Sequence, residues 1–366
     1  MPLTDLAHLD RAFSLAECGR YSVSPNPMVG AVVVRQGRVV GEGYHRRAGG
    51  PHAEVLALRA AGPRARGAEL YLTLEPCTHQ GRTPPCAPAV VAAGVRRVVI
   101  AASDPNPLVA GRGIAALRRA GIEAVLAPRP WRERAAEQNA KFRTWIAAGR
   151  PLVLAKWAST LDGRIASAAG KSRWITGEAA RRRALGLREE YDAVLVGAGT
   201  VIADDPRLTR RLGWNRATPH WRIVLDGRLR ISEHARIFRG SGPVLVATAA
   251  SLADPRARRL AARGALVWSL PSRARGRVDL KRLLRELARE NVASLVVEGG
   301  AETLGSFFSE RLVDRVAVFL APRILGGAAA PGAVGGAGFA LARTPRLAAL
   351  RIEEIGGDLL VTGRVT

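Results

Sequence analysis

The sequence predicts two tandem α/β domains, on three observations. The chain has 366 residues, more than one hydrophobic core usually serves. Apolar, β-branched runs alternate with helix-periodic segments in two successive series. Between the series, Gly149-Arg150-Pro151 combines a glycine that ends a helix with a proline that cannot continue one. The expected domains are residues 1–149 and 150–366.

The elements follow in order. Thr4 can cap a first helix, in which Leu6, Leu9, Phe13 and Leu15 recur at helical spacing up to Gly19. Val29–Val34 and Arg38–Gly43 form a hairpin about the turn Gln36-Gly37. The spacing then predicts a helix over Ala53–Ala61, a strand over Leu70–Leu74, a helix over Pro88–Ala93 and a strand over Val95–Ala101. A helix over Gly113–Ala120, a strand over Glu123–Leu126 and one long helix over Trp131–Ala148 complete the series. The second series includes strands at Leu152–Trp157, Ala193–Val196, Arg222–Leu225, Val244–Ala247, Ser294–Val297 and Arg315–Leu320. The Gly- and Ala-rich stretch Gly326–Gly338 lacks periodicity and reads as a flexible surface loop.

Composition narrows the class. Hydrophobic residues make up 48% of the chain and aromatics 5%, so the cores must be built mainly from Ala, Val and Leu. The net charge of +25 raises the prospect of a nucleic-acid partner. Its distribution argues otherwise, because residues 1–150 carry 21 basic and 11 acidic groups and the remainder 35 and 20, with no isolated basic arm. The charge is read as an attraction for a phosphorylated ligand. Three cysteines, Cys18, Cys77 and Cys86, are too few and of the wrong parity for a disulfide scaffold. The first residues contain two acids and no apolar core, unlike a signal peptide, and no apolar run approaches the ~20 residues of a membrane span. The expected location is the cytoplasm.

One constellation carries chemistry. His52 and Glu54 sit where a loop enters a helix, Pro76-Cys77 follows the next strand, and Cys86 closes the loop after it. One imidazole and two thiolates suit zinc, and three protein ligands leave a fourth position for water, which the metal acidifies. Glu54, beside the metal without ligating it, is placed to move a proton from water to a leaving amine. His-x-Glu followed by Pro-Cys is the zinc-deaminase signature, with eight residues between the cysteines here instead of two. A closed structural zinc site or plain buried thiols is the bland alternative. Cys18 reads as core packing.

The stretch Glu75-Pro76-Cys77-Thr78-His79-Gln80-Gly81-Arg82-Thr83-Pro84-Pro85-Cys86 resembles the signature of the bifunctional riboflavin biosynthesis deaminase/reductases, which have this eight-residue separation. Ser24-Pro25-Asn26-Pro27-Met28-Val29-Gly30, Gly43-Tyr44-His45, Asp104-Pro105-Asn106-Pro107, Leu161-Asp162-Gly163, Trp174-Ile175-Thr176, Ala203-Asp204-Asp205-Pro206 and Val297-Glu298-Gly299-Gly300 resemble the family in the same order, over essentially the whole chain. The resemblance implies a cytidine-deaminase-like three-layer α/β/α domain and then a dihydrofolate-reductase-like α/β domain. The first would bind Zn2+ through His52, Cys77 and Cys86, with Glu54 as proton shuttle. The second would use NADPH.

The resemblance also implies that Asn26, His45 and Arg82 line the pyrimidine and phosphate site. Asn26 could instead be a turn residue, His45 a surface histidine and Arg82 a solvated cation. In the second domain it places Lys156 near the reacting sugar, Asp204 between nicotinamide and ribose, and Ser172, Arg188, Leu208, Arg211 and Glu298 against substrate. Arg188 could otherwise be an exposed helix residue, and Arg211 one of a charged pair with Arg210. Nucleotide contacts fall on Ala158, Trp174, Thr200, Asp204 and the run Gly300, Ala301, Glu302, Thr303, Leu304, Gly305 and Ser306. Trp174 could instead be a core aromatic. The strand ending at Val297, followed by glycines opening a helix, offers N–H groups to a phosphate, but it is not G-x-G-x-x-G, and on the residues alone an ordinary tight strand-to-helix turn is the better reading. The implied reaction is hydrolytic deamination of a pyrimidine ribotide, then reduction of its ribosyl side chain, in a homo-oligomer without nucleic-acid or membrane partner. The alternatives are a nucleic-acid base deaminase and a non-catalytic, zinc-stabilised RNA-binding module.

Overall fold

A computed structural model describes residues 3–80, 84–107, 109–272, 274 and 276–366. It separates into two compact units, Met1–Gly149 with Arg216–Thr218, and Arg150–Asn215 with Pro219–Thr366.

The first unit runs α1 (Leu3–Glu17), β1 (Gly30–Arg35), β2 (Arg38–Tyr44), α2 (Ala53–Ala61), β3 (Glu69–Leu72), α3 (Cys86–Ala92), β4 (Arg97–Ile100), α4 (Arg112–Arg119), β5 (Glu123–Leu126), α5 (Arg129–Gln138) and α6 (Ala140–Ala148). The sheet order is β2-β1-β3-β4-β5. β1 is antiparallel to both neighbours, and β3, β4 and β5 are parallel. Alternate residues of each strand feed opposite faces. Ala31, Val33, Leu70, Leu72, Val98 and Ile100 pack with α2, α3 and α4, while Val32, Val34, Tyr71 and Val99 pack with α1 and α5. The layering is α/β/α, and the parallel strands point their carboxyl ends at the loops that hold Cys77 and Asp104.

The second unit runs β6 (Leu152–Thr160), α7 (Glu178–Glu190), β7 (Ala193–Gly197), α8 (Ala198–Asp204), β8 (Trp221–Leu225), β9 (Val244–Thr248), α9 (Pro255–Ala262), β10 (Leu266–Ser269), α10 (Leu280–Arg289), β11 (Ser294–Val297), α11 (Ala301–Ser309), β12 (Arg315–Ala321), β13 (Leu347–Ile355) and β14 (Asp358–Val365). Nine strands lie in the order β10-β9-β8-β7-β11-β6-β12-β14-β13. They are parallel from β10 to β12 and antiparallel in the terminal hairpin. One face packs on α10 and α11 through Leu283, Leu284, Leu287, Leu304 and Phe307. The other packs on α8 and α9 through Val201, Ala257 and Leu260.

The structure corrects several expectations. The single helix over Trp131–Ala148 is two helices, broken at Asn139 (φ −103°, ψ 26°), whose side-chain amide bonds the backbone of Met28. The helix expected from Pro88 begins at Cys86, because the proline tolerated in a first helical turn is Pro88 rather than a starting residue. Cys18 is exposed, not core; α1 buries Leu9, Ala12, Phe13 and Ala16, and position 18 lies past the helix end. The stretch 326–338 is anchored: Arg164 donates to Ala330 O at 2.7 Å, Gly335 N to Ala301 O at 2.9 Å, and Ala330 is buried. The hairpin β13–β14 and strand β10 were not read from the sequence.

Gly30 opens β1 against the backbone of α1, where a Cβ would collide with Ala12 O. Gly30→Ala is expected to lower stability by about 1–3 kcal/mol, measured by thermal or denaturant unfolding of the full chain.

Candidate active sites

The first site is assembled by two helix starts and a strand end. His52 is the residue before α2, and Cys86 is the first residue of α3. Cys77 lies beyond the end of β3, and its carbonyl accepts from Ala87 N at 3.0 Å. His52 Nδ1 stands 3.0 Å from Cys86 Sγ and 3.7 Å from Cys77 Sγ, and one potential ligand atom from each residue lies within 4.8 Å of the others. Tetrahedral zinc holds N and S ligands roughly 3.5–3.8 Å apart, so the donor set fits the metal. Helix N-termini favour thiolate, and the Cys86 N–H itself donates to Cys77 Sγ at 3.4 Å. The hydrogen bond from Cys86, joined by one to His52, holds the Cys77 thiol down at about 4. The same Cys86–Cys77 bond, with burial, pushes the Cys86 thiol up.

Glu54, in the first turn of α2, is 3% exposed. Burial pushes its carboxyl up to about 7, and its Oε2 has no hydrogen-bond partner among the described residues. A buried carboxyl oxygen beside the donor set is the group that proton transfer at a metal-activated water requires.

His45, after β2, is buried at 2% exposure, not a surface histidine, and burial lowers its pKa. Its Nδ1 is 3.1 Å from Pro51 O, and Asn26 Nδ2 is 3.1 Å from its Nε2. These distances fit a neutral ring that donates to the carbonyl and accepts from the amide. The His45 and His52 rings meet edge to face, 5.1 Å between centroids. Asn26 therefore does more than turn the chain. Arg82 lies outside the described residues.

The sequence reading gave no role to the carboxylate that latches this site. Glu75, 3% exposed, accepts from Asp104 N (3.2 Å), Gly111 N (3.0 Å) and Ile114 N (3.0 Å). It thus bolts the cysteine loop to the start of α4, where a Cβ on Gly113 would strike Pro76 O. An acidic residue between a strand and Pro-Cys was the available signal. Asp104, beside this latch, has its carboxyl pushed up to about 6, chiefly by burial.

The second site lies at the carboxyl ends of β6, β7 and β11, where ligands of parallel sheets bind. Ala155 of β6 pairs with Val297 of β11, which brings Lys156 level with Glu298. Arg188 of α7 grips Glu298 in a fork, with both N···O distances 2.7 Å. Arg188 is therefore not an exposed helix residue. Burial alone would raise the Glu298 carboxyl, but Arg188 and Lys156 hold it at about 2. Lys156 is lowered by burial and by Arg188, against the pull of Glu298. His220 is pushed down to about 3 by burial and by Arg210 and Arg188.

The Arg211 side chain has its pKa lowered by burial and by Arg188, Arg207 and Arg236, a cluster that suits a phosphate. Its backbone is fixed by fully buried Glu189, which accepts from Arg211 N (3.0 Å), Leu212 N (2.8 Å) and Asn215 N (3.0 Å). Arg210 turns away to Arg188 O and Tyr191 O. Glu189, Arg207, His220 and Arg236 carried no sequence motif. Leu208 buries its side chain in the core, leaving only its backbone for a ligand, and its carbonyl lies 3.2 Å from His220 Nε2.

Two strand-to-helix turns stand side by side, since β7 pairs with β11. One runs from Gly197 into α8 with Thr200 in its first turn. The other runs through Gly299 (φ +129°) and Gly300 (φ +68°) into α11, where any Cβ is disfavoured. Such glycine-opened helix N-termini fit a dinucleotide's phosphates. Along α11, Thr303, Leu304 and Gly305 are buried, with Thr303 Oγ1 packed against the turns at Gly197 and Gly300. Ala301 O is taken by Gly335 N, and Ser306 Oγ donates to Glu302 O. Asp204 ends α8, with Arg173 3.5 Å away. Trp174 is 64% exposed, not a core aromatic, with the Arg181 guanidinium 4.5 Å over its ring. Ser172, in the same loop, and Ala158, on β6, are half-buried.

Comparison with known proteins covers both units. Residues 4–102 match the cytidine and deoxycytidylate deaminase zinc-binding region, and residues 151–361 match the RibD C-terminal domain. The riboflavin biosynthesis protein RibD of Aquifex aeolicus is 42% identical over 98% of this chain and 97% of its own, and that of Escherichia coli 40% identical over 88% and 89%. Among solved structures, Acinetobacter baumannii RibD superposes with a TM-score of 0.88 at 37% identity, covering 99% of each chain. A deaminase/reductase of Thermotoga maritima, named for diaminohydroxyphosphoribosylaminopyrimidine and 5-amino-6-(5-phosphoribosylamino)uracil, gives 0.86 at 35% identity, also over 99% of each.

One zinc per chain is expected by elemental analysis. Cys86→Ser and His52→Ala should each lose it, and Cys18→Ser should keep it.

Proposed function

This chain belongs to the RibD family of riboflavin biosynthesis proteins, and we propose that residues 1–149 carry its deaminase and residues 150–366 its reductase. It is a bifunctional enzyme, a zinc hydrolase and an oxidoreductase, with Zn2+ and NADPH as cofactors. The substrate is 2,5-diamino-6-ribosylamino-4(3H)-pyrimidinone 5′-phosphate. Water replaces the amine at C2 and ammonia leaves; the ribosyl side chain is then reduced at C1′ with uptake of a hydride and a proton, giving 5-amino-6-(5-phosphoribitylamino)uracil. The observation that carries this reading is the His52, Cys77, Cys86 donor set with a buried Glu54 oxygen, unpartnered among the described residues, beside it.

Zinc, when bound, supplies a Lewis acid that brings the pKa of water toward neutrality. His52, Cys77 and Cys86 would hold it. Glu54 takes a proton from water and returns it to the departing amine, a task that a buried carboxyl raised to about 7 suits near neutral pH. Asn26 and His45 orient the pyrimidine, and Arg82 meets its phosphate.

Bound NADPH supplies the hydride. Gly300 to Ser306, Thr200, Ala158 and Trp174 would hold the nucleotide, with Asp204 between nicotinamide and ribose. Lys156, its pKa lowered by burial, moves the accompanying proton at the sugar. Glu298 keeps Lys156 and Arg188 in register, and Arg188 and Arg211 bind the substrate phosphate, with Ser172 and the Leu208 backbone beside it.

Among the described residues no helix is long and apolar enough to cross a membrane. The proposal is completed by a cytoplasmic homo-oligomer acting on this phosphorylated small molecule and not on nucleic acid. A base deaminase or RNA-binding module would leave the second unit without a task.

Glu54→Gln is expected to reduce ammonia release by about 10²–10⁴-fold with zinc content intact. Loss of the metal together with activity would assign Glu54 to the ligand set instead. Asp204→Asn should slow NADPH oxidation while ammonia release proceeds, followed by absorbance and ammonia assays on one preparation.

A further inference from the structure

Asn139 interrupts what would otherwise be one helix. Its neighbours on both sides, Glu137, Gln138, Ala140 and Lys141, are residues that propagate helices, yet α5 ends and α6 begins at this position. The side chain is buried, 3% exposed. Its Oδ1 accepts from Met28 N at 2.7 Å, and its Nδ2 donates to Met28 O at 2.9 Å. One primary amide thus satisfies both backbone polar groups of a residue just ahead of β1, where no strand partner does so. Leaving such groups unpaired in a buried place is costly.

The turn so held carries Asn26, whose own N–H donates to Val23 O at 2.8 Å. From there the bonds run on: Asn26 Nδ2 to His45 Nε2 at 3.1 Å, and His45 Nδ1 to Pro51 O at 3.1 Å, one residue before the ligand His52. Val29 O also accepts from His45 N at 2.9 Å. The segment 26–29 is therefore held by His45 at both ends, through Asn26 and Val29, and by Asn139 at Met28 between them.

We infer that Asn139 is a positioning residue of the deaminase reaction: it holds the turn that aims Asn26 at the pyrimidine ribotide. The inference rests on the proposed substrate role of Asn26. Asn139 touches none of the reacting atoms, so its effect belongs on substrate binding, not on the proton transfer at Glu54. Asn139→Asp is the sharper variant, since its second oxygen would face Met28 O, acceptor against acceptor, while the bond from Met28 N and the side-chain shape persist.

The test uses the zinc-loaded full chain and steady-state ammonia release over a range of ribotide concentrations. Asn139→Ala and Asn139→Asp are each expected to raise KM about five- to tenfold, with kcat within about twofold, since orientation before chemistry is what changes. Zinc content and NADPH oxidation on the deaminated ribotide should stay as in the parent. Asn26→Ala should raise KM as well, and the double variant N26A/N139A should be no worse than N26A alone, as for two residues acting through one contact. A raised KM for N26A with parental KM in both Asn139 variants, whatever their melting temperatures, overturns the inference and leaves the role of Asn26 standing. A parental KM for N26A overturns the substrate role of Asn26, and the inference with it. Additive effects in the double variant also overturn the inference. The Asp variant carries the test if the Ala variant does not fold.

Discussion

Two thiols and an imidazole confined within 4.8 Å are the constraint around which the first unit is organised. Close together, with Cys86 buried and Cys77 half-buried, the two sulfurs do not both carry negative charge unless a cation is near. The fold answers by devoting its polar apparatus to placing them. Two helices start at the donor residues, the Glu75 carboxylate ties the strand end to Asp104 and to the start of α4 with three backbone bonds, and a glycine at 113 admits Pro76. Ligand orientation in metal sites depends on such outer contacts as much as on the ligands themselves. Glu54, buried beside this donor set with one oxygen unpartnered among the described residues, has the character of a proton carrier kept from water.

The second unit solves a related problem with charge pairing. Arg188 and Glu298 form a two-pronged ion pair at the end of β11, both largely buried. Removing one partner of a buried pair typically costs about 3–5 kcal/mol, because the other is left uncompensated. The pair also sets the field at Lys156, which burial and Arg188 push toward losing its proton and Glu298 pulls back. Glu189, next to Arg188 on α7, uses its carboxylate to hold the backbone around Arg211. Adjacent residues of one helix thus hold Glu298 on one side and the backbone around Arg211 on the other.

Much of this was legible in the sequence for identifiable reasons. The two-series α/β alternation was visible because buried parallel strands read as short apolar runs, such as Val194-Leu195-Val196 in β7 and Leu295-Val296-Val297 in β11. The donor cluster His52, Cys77 and Cys86 was visible because soft donors at a helix start and after Pro are rare in combination. What stayed hidden depends on contacts distant in sequence. Asn139 looks like one polar residue in a helical pattern until its amide is seen to meet Met28, 111 positions away. Arg188 looks like surface charge among Arg181, Arg182 and Arg183 until Glu298 is seen opposite it. The hairpin β13–β14 escaped because Leu347–Ile355 is mostly exposed, so its residues lack the apolar alternation that marks a half-buried strand.

The central claim is that His52, Cys77 and Cys86 bind zinc and leave one position to solvent. X-ray absorption at the zinc edge of the purified full chain tests it most directly. The expected spectrum has two sulfur neighbours at about 2.3 Å and two lighter ones at about 2.0–2.1 Å, one of the latter exchanging when substrate or a small anion is added. A shell of four protein donors indifferent to added ligand, or protein that turns over ribotide without zinc, would contradict the account.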